Sequence, residues 1–214
     1  MPPGDLNRLL QDYAARIEKN TKRIDRLETL EFSMIGAGGW VLIEELFPTG
    51  ATVTFSNIPA TFRHLHLRWL AQSDGTFAAP TIALNFNGDF GLSYFYTAHL
   101  GLFSWGTDPD LHVVTNGGSG PDDNIALGQI PGTIDQETES FGWGFADINY
   151  YTLPVYKGVL IHSGCWRPED MENAQTYLAS GQWEDSAAIN EIVISMAAGQ
   201  DFVSPSAFSL YGIS

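Results

Sequence analysis

Two periodicities divide the chain. From Asp5 to Glu31 there is no glycine or proline, and Leu6, Leu10, Tyr13, Ile17, Asn20, Ile24 and Leu27 recur at alternating steps of four and three. That spacing predicts a helix whose apolar seam closes against partner helices as a coiled coil. Pro2, Pro3 and Gly4 precede it and Asp5 can cap it. The charged residues fall mostly off the seam, with Asp12–Arg16 and Glu18–Lys22 placed as acid-to-base pairs four apart. A lone helix of this length, about 40 Å at 1.5 Å per residue, is unstable in water, so the seam residues are expected to oligomerise the chain. Asn20 puts a polar side chain on the seam, which costs stability and specifies register and strand number. The alternative is an amphipathic helix lying on its own domain. Wide polar faces and a terminal position favour the coiled coil.

After the break at Gly36-Ala37-Gly38-Gly39 the apolar period shortens to two. Strands are predicted at Trp40 to Leu46, at Ala51 to Ser56 with Val53 and Phe55 on one face, and from Phe62 to Ala71. In the last, Leu65, Leu67 and Trp69 alternate with His64, His66 and Arg68. Thr81 to Asn87 sets Ile82, Leu84 and Phe86 on one face and runs into an Asn87-Gly88-Asp89 turn. Further strands are predicted at 111–115, 125–130, 155–162, 189–196 and 206–213. Glycine-, proline- and aspartate-rich segments between them read as loops, the longest from Ser104 to Asn124, with a second system from Trp166 to about Asp185 holding a short helical turn at Glu169–Leu178. The expected fold is mainly β: a single jelly-roll-like β-sandwich head, residues 36–214, preceded by an N-terminal anchor and α-helical coiled-coil stalk, residues 1–35.

Charge sharpens this division. Residues 1–35 hold six basic and six acidic side chains, which leaves four of the ten basic and nineteen of the twenty-five acidic ones to the body, and with them the whole net charge of −15. A surface that acidic repels phosphate backbones and anionic lipid, so nucleic acid and membrane are not expected partners. No apolar leader opens the sequence and no run of about eighteen apolar residues occurs, so the chain is expected to be made in a cytoplasm without export or membrane insertion. Hydrophobic residues at 44% supply a core.

Catalytic signatures are missing. Gly118-Ser119-Gly120 is not a nucleophile elbow, and no phosphate-binding glycine motif is present. Cys165 is the single cysteine, and His162 three residues before it falls on the opposite face of a strand, so no thiol–imidazole pair is expected. His64 and His66 share a face at a spacing that can hold a metal, but no third ligand is placed, and they read as outward polar residues or an intersubunit contact. Asp108, Asp110, Asp122, Asp123 and Asn124 could gather around Ca²⁺ without matching an EF-hand, and read more simply as solvated loop residues. No cofactor and no enzymatic activity are expected. The aromatics stand out instead. Tyr94, Phe95, Tyr96, Phe103, Trp105, Phe141, Trp143, Phe145, Tyr150, Tyr151, Trp166, Tyr177 and Trp183 all fall in or beside expected loops. Aromatics flanked by Asp, Asn and Gln suit sugar faces and protein interfaces. Trp105, Trp143, Trp166 and Trp183 are the candidate ligand contacts.

The stretch Gly39-Trp40-Val41-Leu42-Ile43-Glu44-Glu45, with Phe55-Ser56-Asn57-Ile58-Pro59-Ala60-Thr61-Phe62-Arg63-His64-Leu65 after it, resembles the opening of tailed-phage structural proteins. Asn85-Phe86-Asn87-Gly88-Asp89 and the closing Phe208-Ser209-Leu210-Tyr211-Gly212-Ile213 are similar to later segments of the same group. That group comprises tail-fibre, minor tail and head-fibre proteins of phages and gene-transfer particles. The resemblance covers the two ends of the body and hardly touches residues 90 to 185. It implies a homotrimeric virion component, and the N-terminus is the expected point of contact with other virion proteins. It implies no catalytic residues. The leading expectation is a fibre or spike that attaches the particle to a host surface receptor, such as a glycan. The alternative is an architectural head fibre, decoration or adaptor protein.

Overall fold

A computed structural model describes residues 39–75, 80–103, 112–117, 121–133, 140–165, 174–196 and 199–214. The chain divides into two units, Met1–Trp40 with Ser214, and Val41–Ile213. The expected stalk and its seam residues Leu6, Leu10, Tyr13, Ile17, Asn20, Ile24 and Leu27 lie outside the described residues.

The body is mainly β. Among the described residues there are twelve strands and no helix: β1 (Trp40–Leu46), β2 (Thr52–Ser56), β3 (His64–Ala71), β4 (Thr81–Phe86), β5 (Tyr94–Phe103), β6 (His112–Gly117), β7 (Ile125–Gln129), β8 (Gly142–Asn149), β9 (Lys157–Cys165), β10 (Ala174–Trp183), β11 (Glu191–Met196) and β12 (Ala207–Ile213). They form two antiparallel sheets, one of eight strands in the order β1-β12-β3-β8-β9-β10-β5-β6 and one of four in the order β2-β11-β4-β7.

One apolar core lies between them. From the small sheet come Val53 and Phe55, Ile82, Leu84 and Phe86, Ile125 and Leu127, and Ile192 and Ile194; from the large sheet come Leu65, Leu67 and Trp69, Ile148, Val159, Ile161, Trp183, Phe208 and Leu210. The alternations read from β2, β3 and β4 therefore place the core correctly. They do so because a strand with one buried face must repeat its apolar residues every second position. Cys165 is buried, while His162 on the same strand faces outward and is half-buried.

Three strands correct the sequence expectation. β5, β8 and β10 occupy ground read as aromatic loops, and residues 174–178, expected in a helical turn, pair as strand with β9 and β5. The cause is visible in β8. Its inward residues are Gly142, Gly144, Ala146 and Ile148, and its large aromatics Trp143 and Phe145 point outward. Small residues are needed inside because Trp69, directly across from Gly144, fills that space. β5 carries aromatics on both faces, with Tyr94 and Tyr96 inward and Phe95 outward, and this hides the period of two.

The turn at Asn87-Gly88 is as expected. Both residues have positive φ, 53° and 67°, and Asp89 N–H donates to Phe86 O at 2.9 Å. Positive φ at both central residues is why Asn-Gly is favoured there.

Candidate binding surfaces

The outer face of the large sheet carries most of the body's chemistry. Antiparallel register sets Arg68, Phe145, His162 and Leu178 in one row, Tyr211, His66, Asp147, Leu160 and Ser180 in the next, and Leu70, Trp143 and Gly164 on the other side. His66 lies on this face, as the alternation predicts, but it is only 5% exposed. Its Nδ1–H donates to Asp147 Oδ1 at 2.6 Å, its ring stacks on Phe145 with centroids 5.5 Å apart, and Tyr211 flanks it at 6.4 Å. His66 thus points outward as read, but cross-strand neighbours with large side chains cover it. His64 goes elsewhere. Its Nδ1 accepts from Tyr150 N–H at 3.3 Å, and its ring meets Tyr150 edge-on. The two histidines do not converge, and among the described residues no group of three or more His, Cys, Asp or Glu is placed to hold a metal ion.

Trp143 is 49% exposed and packs edge-on against His162, which also meets Phe145 edge-on, both pairs at 5.6 Å. The Trp143 ring lies over Gly164, where a Cβ would stand 3.2 Å from it. Leu70, Leu160 and Leu178 are each about half exposed around this aromatic group. The result is a patterned aromatic and apolar surface rather than a cleft. Such a surface can stack a planar or pyranose face or bury a protein partner's side chains.

Trp183 is placed differently. It is 1% exposed, stacks with Tyr94 and tilts against Phe86, and its Nε1–H donates to Asp89 Oδ2 at 2.7 Å, which leaves no ring face free for a ligand. Tyr94 Oη accepts from Phe86 N–H at 2.9 Å and donates to Asp89 O at 2.8 Å, and burial pushes its pKa up to about 12. The hydrogen bond from Trp183, followed by that from Gly91 N–H, holds the Asp89 carboxyl below its ordinary 3.8. Trp105 and Trp166 lie outside the described residues.

A second surface gathers at one end of the body, where four connections meet. Ile58 N–H donates to Asn190 O, Ile189 N–H to Tyr151 O, Glu184 N–H to Ser93 O, and the Tyr151 hydroxyl to Pro59 O. Lys157 is fully buried beneath the loop at 150–156, and its ammonium donates to Leu153 O at 2.8 Å and to Val155 O. Burial pulls its pKa below the ordinary 10.5, with Asp185 opposing that shift. This hydrogen-bonded end exposes Phe90, Leu92, Tyr150, Leu153, Val155 and Tyr156. Sequence reasoning passed over all of these except Tyr150. A cluster of apolar residues inside a turn, as in Tyr151-Thr152-Leu153-Pro154-Val155-Tyr156, was the available signal.

Of the loop acids, Asp108 and Asp110 lie outside the described residues. Asp122, Asp123 and Asn124 form a local turn in which Asp122 Oδ1 accepts from Asp123 N–H and Asn124 Nδ2 donates to Asp123 Oδ1. No family model matches this chain, and no curated protein or solved structure matches it either.

Proposed function

We propose that the chain is a virion fibre or spike protein, trimeric through its N-terminal seam, whose body attaches the particle to a glycan on a host surface. The observation that carries this reading is the outer face of the large sheet, where half-exposed Trp143, with His162 and Phe145 packed against it, is held on paired strands. Side chains fixed in this way lose little freedom on binding, which suits weak contacts multiplied by three copies.

The body fits a jelly-roll-like β-sandwich. Four neighbouring strands of the large sheet, β1-β12-β3-β8, together with β2-β11-β4-β7, have a jelly-roll order, with the first strand beside the last and β1 to β4 alternating between the sheets. β9, β10, β5 and β6 continue the large sheet beyond β8, and β9 and β10 also pack on β7 of the small sheet. Capsid and lectin domains share that architecture, which supports the reading by analogy of fold alone.

A second reading, an architectural protein that contacts only other virion proteins, is favoured by the apolar end, where Phe90, Leu92, Leu153 and Val155 are all exposed. Sugar hydroxyls gain little from aliphatic side chains, whereas protein partners bury them well. Adsorption to host cells separates the two. Trp143→Ala, folded and oligomeric, is expected to reduce adsorption of the protein to cells while leaving particle assembly intact. Full adsorption with defective assembly would favour the architectural role.

A further inference from the structure

Strands β5 and β10 pair so that Phe95 stands across from Gln182, Tyr96 from Gly181 and Thr97 from Ser180. Tyr96 packs against the core, and a Cβ on Gly181 would meet Ile125 of the core, so this middle pair turns inward. Phe95, Thr97, Ser180 and Gln182 therefore stand at the four corners of a hollow on the outer face, floored by the backbone of Tyr96 and Gly181. These six residues line an open volume of about 350 Å³. That lies at the lower end of the range for small-molecule sites, ~300–1,000 Å³. On the β9 side Gln182 is paired with Gly158, which is exposed and has nothing within 4 Å of where a Cβ would stand. On the β6 side Thr97 is paired with Gly117. On the β9 side the hollow therefore opens sideways over Gly158.

The chemistry of the corners is selective. A phenyl ring offers an apolar plane, two hydroxyls donate and accept, and the Gln182 amide does both. None of the four carries a charge, and the acids closest to them, Glu184 two residues beyond Gln182 and Asp122 bridged to Tyr94, have the same sign as an anionic sugar. An anionic sugar would find no counter-charge here and would meet a molecule of net charge −15.

We propose that this hollow is a binding groove for a neutral saccharide, with one pyranose face laid on Phe95, its hydroxyls bonded to Thr97, Ser180 and Gln182, and the chain continuing over Gly158. The assignment rests on the glycan-attachment reading and names its site and ligand class. The hollow is separate from the Trp143 group, which lies on β8 of the same face.

The test uses the full chain, an array of neutral and anionic glycans, and saturation-transfer NMR with the methyl glycosides of glucose, galactose, mannose and N-acetylglucosamine. Gln182→Ala removes the amide, and Ser180→Trp fills the hollow; both positions are exposed, and an unchanged thermal midpoint verifies folding. The expected result is binding to neutral glycans by the parent and a loss of about tenfold or more in affinity for each variant. Parent-like binding by both folded variants overturns the groove and leaves glycan attachment standing at another site. Binding confined to anionic glycans overturns the ligand class. A parent that binds no glycan in either format overturns the groove together with the reading beneath it.

Discussion

Asp89 shows how one side chain can tie a turn to the core. Its Oδ2 accepts from Trp183 Nε1–H at 2.7 Å, its Oδ1 from Gly91 N–H at 2.9 Å, and its carbonyl from the Tyr94 hydroxyl at 2.8 Å and Asn85 Nδ2–H at 3.1 Å. Both carboxylate oxygens act as acceptors, so ionisation is favoured and the folded pKa lies below the ordinary 3.8. A carboxyl depressed by folding contributes stability above its unfolded pKa, and that contribution is lost as pH falls through the folded value. Asp89→Asn is therefore expected to melt below the parent at neutral pH. The gap should narrow once pH falls below about 4. Thermal melts over that range check this; a gap that stays constant would show that the charge of Asp89 is not what the Trp183 contact needs. Lys157 is a different case, since its two carbonyl partners make it a buried brace for the loop at 150–156.

At the scale of elements, β8 depends on a match between absence and bulk. A Cβ at Gly144 would stand 2.2 Å from Trp69 Cζ2 and 2.7 Å from Ser163 Cβ, closer than any real packing allows. Both neighbours sit in buried strands and have little room to yield. Gly144→Ala is expected to cost about 1–3 kcal/mol in urea unfolding, the usual range for overpacking. Adding Trp69→Leu should recover part of that loss, because the two positions share one space and cannot act independently. Strict additivity in the double-mutant cycle would mean the clash is relieved elsewhere. The turn after β4 shows a second tie between elements. Asn87 Oδ1 accepts from Asn190 and Glu191 N–H, and its Nδ2 donates to Ala188 O. A two-residue turn thereby holds the connection between β10 and β11 at the apolar end.

For the whole molecule, charge and association pull against each other. Three copies would bring together bodies that share a net charge of −15 each, so trimerisation needs apolar contact to offset repulsion. The proposed seam from Leu6 to Leu27 supplies it, and the half-exposed Leu160 and Leu178 on the outer face offer more. Light scattering on the full chain is expected to give a trimer, and deletion of residues 1–31 to weaken or abolish it. Asn20→Leu should raise the melting temperature while loosening strand number, as replacement of a buried polar seam residue does. A full chain that is monomeric at micromolar concentration would remove the stalk from the proposal. Residual association after the deletion, lost again on Leu160→Lys, would place a contact between bodies on the outer face.

The sequence by itself determined where β2, β3 and β4 put their apolar residues, because a one-faced strand repeats every second residue whatever surrounds it. It also determined the Asn87-Gly88 turn, whose positive φ values are a local property of those residue types. Only tertiary structure decided the rest. Gly142-Trp143-Gly144 reads as a loop until Trp69 is seen to fill the space its glycines leave. Trp183 and Trp143 look alike along the chain, yet one is a core residue bonded to Asp89 and the other stands half exposed over Gly164. The hollow between Phe95, Thr97, Ser180 and Gln182 joins residues more than eighty positions apart, and no local pattern marks them. Periodicity records which face of a strand is buried. Which strands become neighbours, and so which outward side chains meet, depends on pairing between distant segments, where each strand's surroundings are set by residues it does not contain.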